Sequence, residues 1–433
     1  MLTFNELYIK TLKSILENNE ENNLENDAQN DAENNSDISL EQIINPDASY
    51  DTHHLDCLLN PQKHPIVINT GKCDCSVDEQ KECISRCPFD AMTITKDGVL
   101  IDPDLCMGCS ECIHGCASEK LTASTDIIPA LKAIRSSKGL VYAIIAPAFL
   151  GQFSEEVTPG KIRSALKKVG FDGMIEVALF ADILTLKEAL EFDKNINEET
   201  DYQLTSCCCP MWIAMIKKVY NQLMPHVPGS VSPMIACARV VKILHPDALV
   251  VFIGPCLAKK AEAREKDLVG DVDYVLTFME VQNIFDALGI VPNEMEESEK
   301  EHSSKSGRIY ARAGGVSEAV ESTLKAISPN RKINIRTMQA DGVISCKAMI
   351  NDLMAGKTNA NFYEGMGCKG GCVGGPKAII GVEAGTKKVN AYGEVAEYKN
   401  PVENPYVIEL LNMIGLETVE SLLEETDIFT RHF

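Results

Sequence analysis

Glu364-Gly-Met-Gly-Cys368-Lys-Gly-Gly-Cys372-Val-Gly-Gly-Pro-Lys-Ala-Ile379 is the stretch on which the reading of this 433-residue chain turns. Two cysteines at i and i+4 lie among glycines, so the backbone can wrap closely around whatever the thiolates hold. Thiolates select zinc, copper(I) or iron–sulfur clusters. Taken alone, the run fits a zinc loop or an unusual turn. The other cysteines decide.

The chain carries 17 of them. Its start, Met1-Leu-Thr-Phe-Asn-Glu6, lacks the basic-then-apolar layout of a secretory signal. No stretch approaches the roughly 20 apolar residues that span a bilayer. A cytoplasmic location is therefore expected, and there clustered cysteines read as metal ligands rather than disulfides. The net charge of −22 argues against nucleic acid and anionic membranes as partners. Residues 1–60 hold 13 Asp and Glu against Lys10 and Lys13, half of the net charge. Within them, Glu17–Ser39 is too poor in apolar residues to order itself. Residues 1–64 are thus expected to form a short amphipathic helix over Thr3–Leu16 and a disordered acidic linker.

Length implies two or three domains. Cys106-x2-Cys109-x2-Cys112-x3-Cys116 has the bacterial ferredoxin spacing for a [4Fe–4S] cluster. Short spacers bring three thiolates to one face of a cubane and send the fourth to a neighbour. Upstream, Cys73-Asp-Cys75-x7-Cys83-x3-Cys87-Pro88 is a looser version. Crossed ligation assigns Cys73, Cys75, Cys83 and Cys116 to one cluster. Cys87, Cys106, Cys109 and Cys112 go to the other. Ala91–Asp102 reads as a hairpin between them. Residues 65–122 resemble a two-[4Fe–4S] ferredoxin-like α+β domain, whose usual purpose is electron transfer. A pair of zinc ribbons is the weaker alternative.

From about Lys132 to the C-terminus the pattern is α/β, giving a large domain over residues 123–433. Gly139–Pro147, Ala248–Gly254 and Arg308–Arg312 read as short apolar strands, and Thr158–Gly170 as a helix with a glycine stop. Such alternation implies parallel sheets wrapped by helices, with ligands at the carboxyl ends of strands. Cysteines sit at those junctions, in Thr205-Ser-Cys207-Cys208-Cys209-Pro210-Met-Trp212 and in Ile253-Gly-Pro-Cys256-Leu-Ala-Lys259-Lys260-Ala-Glu262. Pro210 suits the first turn of a helix expected over Met211–Leu223, which Trp212 anchors.

These two loops and the opening stretch resemble the three signature loops of the [FeFe]-hydrogenases, TSCCPxW, MPCxxKxxE and ExMxCxxGCxxGG. They stand in the family's order and follow a ferredoxin-like domain. The resemblance covers about residues 70–433, including the Ala313–Val316 turn and a closing helix over Asn404–Leu411. It implies a large domain of two parallel-sheet lobes with an H-cluster between them. That cofactor is a [4Fe–4S] cubane joined through a cysteine sulfur to a di-iron unit bearing CO, cyanide and an azadithiolate bridge. Carried over by position, the cubane ligands are Cys209, Cys256, Cys368 and Cys372, and Cys372 is the shared sulfur. Cys208 becomes the proton-transfer thiol, Lys259 a donor to one cyanide, and Met366 a neighbour of the bridging carbonyl.

The first loop has three cysteines where the usual pattern has two, a form that resembles a TSCCCPMW subgroup. Counting back from Pro210 makes Cys209 the ligand and Cys208 the thiol. Counting forward from Thr205 makes them Cys208 and Cys207. The helix start fixes the backbone beside it and favours the first register. Gly254, Ala148 and Met234 also depart from the usual residues. Lys187 falls where the resemblance places a first proton-relay Glu; Glu188 and Glu191 are read as a solvated helical face, with substitution for that Glu as the alternative. Cys57, Cys237 and Cys346 are expected to be structural thiols, His53 and His54 a surface pair, and His114 no ligand.

The implied activity is reversible combination of protons and electrons to H2, with ferredoxin or a similar carrier as electron partner and maturation proteins supplying the di-iron unit. A hydrogen-sensing or low-activity relative, and a non-catalytic iron–sulfur assembly factor, are the competing readings.

Overall fold

The computed structural model describes residues 1–25, 49–96, 98–205, 208–298, 302–424 and 427–432. The strands in chain order are β1 (Val67–Asn69), β2 (Met92–Thr95), β3 (Gly98–Ile101), β4 (Leu121–Ala123), β5 (Val141–Ile145), β6 (Gly173–Glu176), β7 (Gln203–Leu204), β8 (Leu249–Gly254), β9 (Tyr274–Thr277), β10 (Thr337–Asp341) and β11 (Phe362–Met366).

Two parallel sheets form the large domain. One has the order β6-β5-β8-β9, the other β10-β11-β7. β5 and β8 are apolar on successive residues because helices cover both faces, and Ile145 pairs with both Glu176 and Ile253 at the carboxyl end. The smaller sheet aligns Asp341 with Met366 and Tyr363 with Leu204, so the first and third cysteine loops leave the same sheet edge. In the segment upstream, β1 pairs antiparallel with β4, and β2 with β3. Its small core includes Leu257, while Met107 reaches the main core, so the two packing regions interlock.

Trp212 is the tie between the cysteine loops. It is 1% exposed, its Nε1–H donates to the Thr205 carbonyl at 3.0 Å, and its indole lies flat on the Gly365 backbone. A Cβ on Gly365 would stand 2.0 Å from Trp212 Cε3, so only glycine permits this approach.

Four sequence expectations change. The N-terminal helix runs Phe4–Glu25, beyond Leu16 and into the stretch expected to be disordered; residues 26–48 lie outside the described residues. Leu12, Ile15 and Leu16 dock on the main core, and a helix once nucleated propagates cheaply through Glu, Asn and Leu. Arg308–Arg312 is no strand: Lys305–Ile309 is helical, and Gly307 packs where a Cβ would meet the Ala178 carbonyl at 2.0 Å. The helix after the first loop ends at Val219, followed by a 3-10 stretch Asn221–His226 that contains Pro225.

The fourth change concerns the helix Ala178–Asn195, whose polar residues are buried rather than solvated. Asp182, Lys187, Glu188 and Glu191 all lie inside. Asp182 accepts from the Ser304 and Gly307 backbone N–H groups at 2.7 and 2.9 Å, and burial pushes its carboxyl up to about 6. Lys187 pairs with Glu191 and donates to Ser230 Oγ at 3.0 Å. Among the described residues, no helix is long and apolar enough to cross a membrane.

Candidate functional site

Each loop begins where a parallel strand ends. Pro210 opens the helix Pro210–Val219, so Cys209 is its N-cap residue, in extended conformation. Cys256 sits between β8 and the short helix Ala258–Glu262. Met366 closes β11, and Cys372 opens a 3-10 turn.

The structure brings Cys209, Cys256, Cys368 and Cys372 together. Burial pushes the Cys256 thiol up to about 11, with Cys209 adding repulsion and Lys259 opposing it. Cys368 and Cys372 are raised further, first by burial and then by the neighbouring thiols. Cys209 is 8% exposed, and its Sγ accepts the Gly367 backbone N–H at 3.2 Å. Cys208 Sγ lies 4.0 Å from Met366 Sδ and is the strongest charged neighbour of the Cys372 thiol. Cys207 lies outside the described residues.

Lys259 is 6% exposed and donates to Glu262 Oε2 at 2.7 Å. Burial disfavours its charge, yet Glu262, Cys256 and Cys372 together hold its pKa above the usual lysine value. The sequence reading gave Lys259 no protein partner, read Cys346 only as a structural thiol and gave Glu364 no role. The fully buried Cys346 points its thiol at the Met366 carbonyl at 3.4 Å, and burial, then the charge of Cys209, raises its pKa. Glu364 accepts the Gly314 N–H at 2.8 Å and the Ser317 N–H at 2.7 Å, tying the third loop to the first turn of the helix Gly315–Ile327. Its place at the head of the glycine-rich run was the available signal.

Glu364→Ala would strand two buried donors at that helix N-terminus. We expect a loss of about 3 kcal/mol, seen as a melting temperature several degrees lower. An unchanged melting curve would mean that water replaces the carboxylate.

The upstream cysteines fall into two sets. Cys73, Cys75, Cys83 and Cys116 line a cavity of about 260 Å³. Burial and the charges of Cys116, Cys73 and Cys75 raise the Cys83 thiol. In the second set, burial raises Cys112, with Cys109, Cys106 and Cys87 adding to it. Burial likewise pushes Cys109 up to about 12, reinforced by Cys87 and Cys106. The sets touch electrostatically through Cys83 and Cys112, and Cys109 acts in turn on Cys368. His114 is exposed, and Cys237 is fully buried on an apolar helix.

Residues 139–376, more than half of the chain, match the family described as iron only hydrogenase large subunit, C-terminal domain. Iron hydrogenase 1 of Clostridium pasteurianum is 28% identical over 275 residues, 54% of this chain and 48% of that protein. A probable cytosolic Fe–S cluster assembly factor of Aedes aegypti is 23% identical over 273 residues, 51% of this chain and 56% of that protein. The chain therefore spans about half the length of these curated relatives. A solved [FeFe]-hydrogenase variant from Chlamydomonas reinhardtii shares the fold, with a TM-score of 0.60 at 23% identity. It covers 71% of this chain and 98% of the solved one.

Proposed function

Because the chain belongs to the iron-only hydrogenase large-subunit family, an iron–sulfur family, we propose that it is a hydrogenase that interconverts protons, electrons and H2. The observation that carries this reading is the meeting of Cys209, Cys256, Cys368 and Cys372 from three distant loops, with Cys208, Lys259 and Met366 around them. Four thiols that repel one another, Cys209 buried and Cys256, Cys368 and Cys372 half-buried, fit a cationic iron–sulfur cluster, which offsets both the desolvation and the like-charge cost.

In this reading Cys209, Cys256, Cys368 and Cys372 would hold the H-cluster, with Cys372 as a ligand to both of its parts. When bound, that cofactor supplies the metal centre at which protons and electrons combine. The protein's part is placement, electrostatics and proton supply. Cys208 Sγ holds the exchangeable proton, the Lys259 ammonium supports anionic cyanide, and Met366 excludes water from beneath. The two upstream cysteine sets hold [4Fe–4S] clusters as a ferredoxin-like relay over residues 65–122. The charge influence of Cys83 on Cys112 and of Cys109 on Cys368 supports an order in which the two sets lead to the four-thiol site. Ferredoxin or a similar carrier is the electron partner, maturation proteins deliver the di-iron unit, and the cytoplasm is the location.

Protein matured with the di-iron cofactor is expected to show CO and cyanide stretching bands in the infrared, and to evolve H2 from reduced ferredoxin. Cubane iron with no such bands would sink the hydrogenase reading and favour the assembly-factor one, which the Aedes relative's name supports. Bands without turnover would favour a sensor.

A further inference from the structure

Outside the cluster loops, His53, Cys57 and His64 place one ring nitrogen, one thiol sulfur and a second ring nitrogen all within 4.8 Å of one another. We propose that these three side chains bind a single zinc ion.

The geometry comes from two local elements. Asp51 caps the helix Thr52–Leu59 by accepting the His53 N–H at 2.8 Å. His53 and Cys57, four residues apart, then share one helix face. Pro61 starts a 3-10 turn that brings His64 back to that face, where the His53 and His64 rings meet edge-on at 5.2 Å. The backbone of His64 is held from the other side, because Arg264 Nη1 donates to its carbonyl at 2.9 Å.

Distances match the metal's demands. Cys57 Sγ and His53 Nε2 are 3.7 Å apart. Zinc bonds of about 2.3 Å to sulfur and about 2.05 Å to nitrogen, at a tetrahedral angle, separate those atoms by roughly 3.6 Å. Asp56 Oδ2 stands 2.7 Å from His64 Nε2. That contact is the carboxylate–histidine pairing that orients a metal-bound imidazole and leaves the opposite ring nitrogen for the ion. Cys57 is fully buried while His53 is exposed, so the fourth position opens toward solvent and water. One thiolate with two imidazoles suits zinc better than calcium or magnesium. As the Zn–S bond forms, the Cys57 thiol proton leaves to solvent. The ion would staple the helix Thr52–Leu59 to the turn that leads into β1. The surface-pair reading of His53 and His54 changes accordingly: His54 is buried, at 8% exposure and edge-on to Phe4, while His53 faces Cys57.

The test uses the full chain with its iron–sulfur clusters, stripped of adventitious metal by a chelator and then titrated with zinc chloride. About one zinc per chain should survive gel filtration, and zinc-edge X-ray absorption should show a single sulfur at about 2.3 Å with nitrogen and oxygen otherwise. His53→Ala, at an exposed position that the fold does not need, should weaken zinc binding roughly tenfold or more without changing iron per chain. Cys57→Ser should remove the sulfur signal. Zinc retained equally by His53→Ala, two or more sulfurs at the zinc edge, or no zinc retained by the parent chain would each overturn the proposal.

Discussion

Cys208→Ala is expected to lower hydrogen evolution by roughly 10²–10⁴-fold, the usual worth of a positioned proton donor, while iron content and infrared bands stay in place. The side chain is partly buried, 4.0 Å from Met366 Sδ and beside Cys372, whereas Cys209 is held at the helix start by Pro210. Cys207→Ala serves as the control and should keep most of the activity. The reverse result, with Cys208→Ala active and Cys207→Ala dead, would restore the register counted forward from Thr205. Loss of the infrared bands in Cys208→Ala would make that residue a cluster ligand instead.

Lys260→Met should cost about 3–5 kcal/mol of stability, the range for removing one partner of a buried ion group. The Lys260 side chain is fully buried, with Nζ 3.1 Å from Glu280 Oε1 and 3.3 Å from Asp126 Oδ1. Glu280 also accepts the Thr125 hydroxyl and the Asp126 and Thr277 backbone N–H groups, binding the segment that follows β4 to the helix Phe278–Ala287. Burial works against the Glu280 carboxylate, but Lys260 and these donors hold its pKa below the ordinary value. Its contribution is therefore present above the ordinary glutamate range and is lost as pH falls through the lowered folded value. In the variant Glu280 loses its ion pair and Asp126 keeps that with Arg264, at 3.9 Å. Its deficit should be largest near neutral pH and shrink on acidification. Denaturant titrations of both proteins at pH 7 and at about pH 4, below the ordinary glutamate value, check this; a deficit that does not depend on pH would mean that packing, not charge, is lost.

The reach of the sequence follows from how local each signal is. Cys106 to Cys116 announces itself because the ligand spacing is a property of a few consecutive residues. β5 and β8 are legible because a buried parallel strand is apolar on both faces. The helix Ala178–Asn195 misleads for the opposite reason. Its Lys187, Glu188 and Glu191 would mark a wet face on an ordinary amphipathic helix; Lys187 and Glu191 pair within the helix, and the Ser230 hydroxyl that also accepts from Lys187 comes from distant chain. Arg308–Arg312 reads as a short apolar strand, yet the backbone contact at Gly307 is invisible without the fold. His64 joins His53 and Cys57 only after the Pro61 turn reverses the chain.

The indole of Trp212 lying against Gly365 also has a meaning in time. Cys209 leaves the ribosome long before Cys372, and the parallel pairing of β7 with β11 has no partner until then. At roughly 5–20 residues per second, the interval is about ten to thirty seconds. During that wait the first loop has neither its indole platform nor its remaining thiols. In the proposed reading, iron for this four-thiol site is therefore loaded onto a chain already made as far as Cys372.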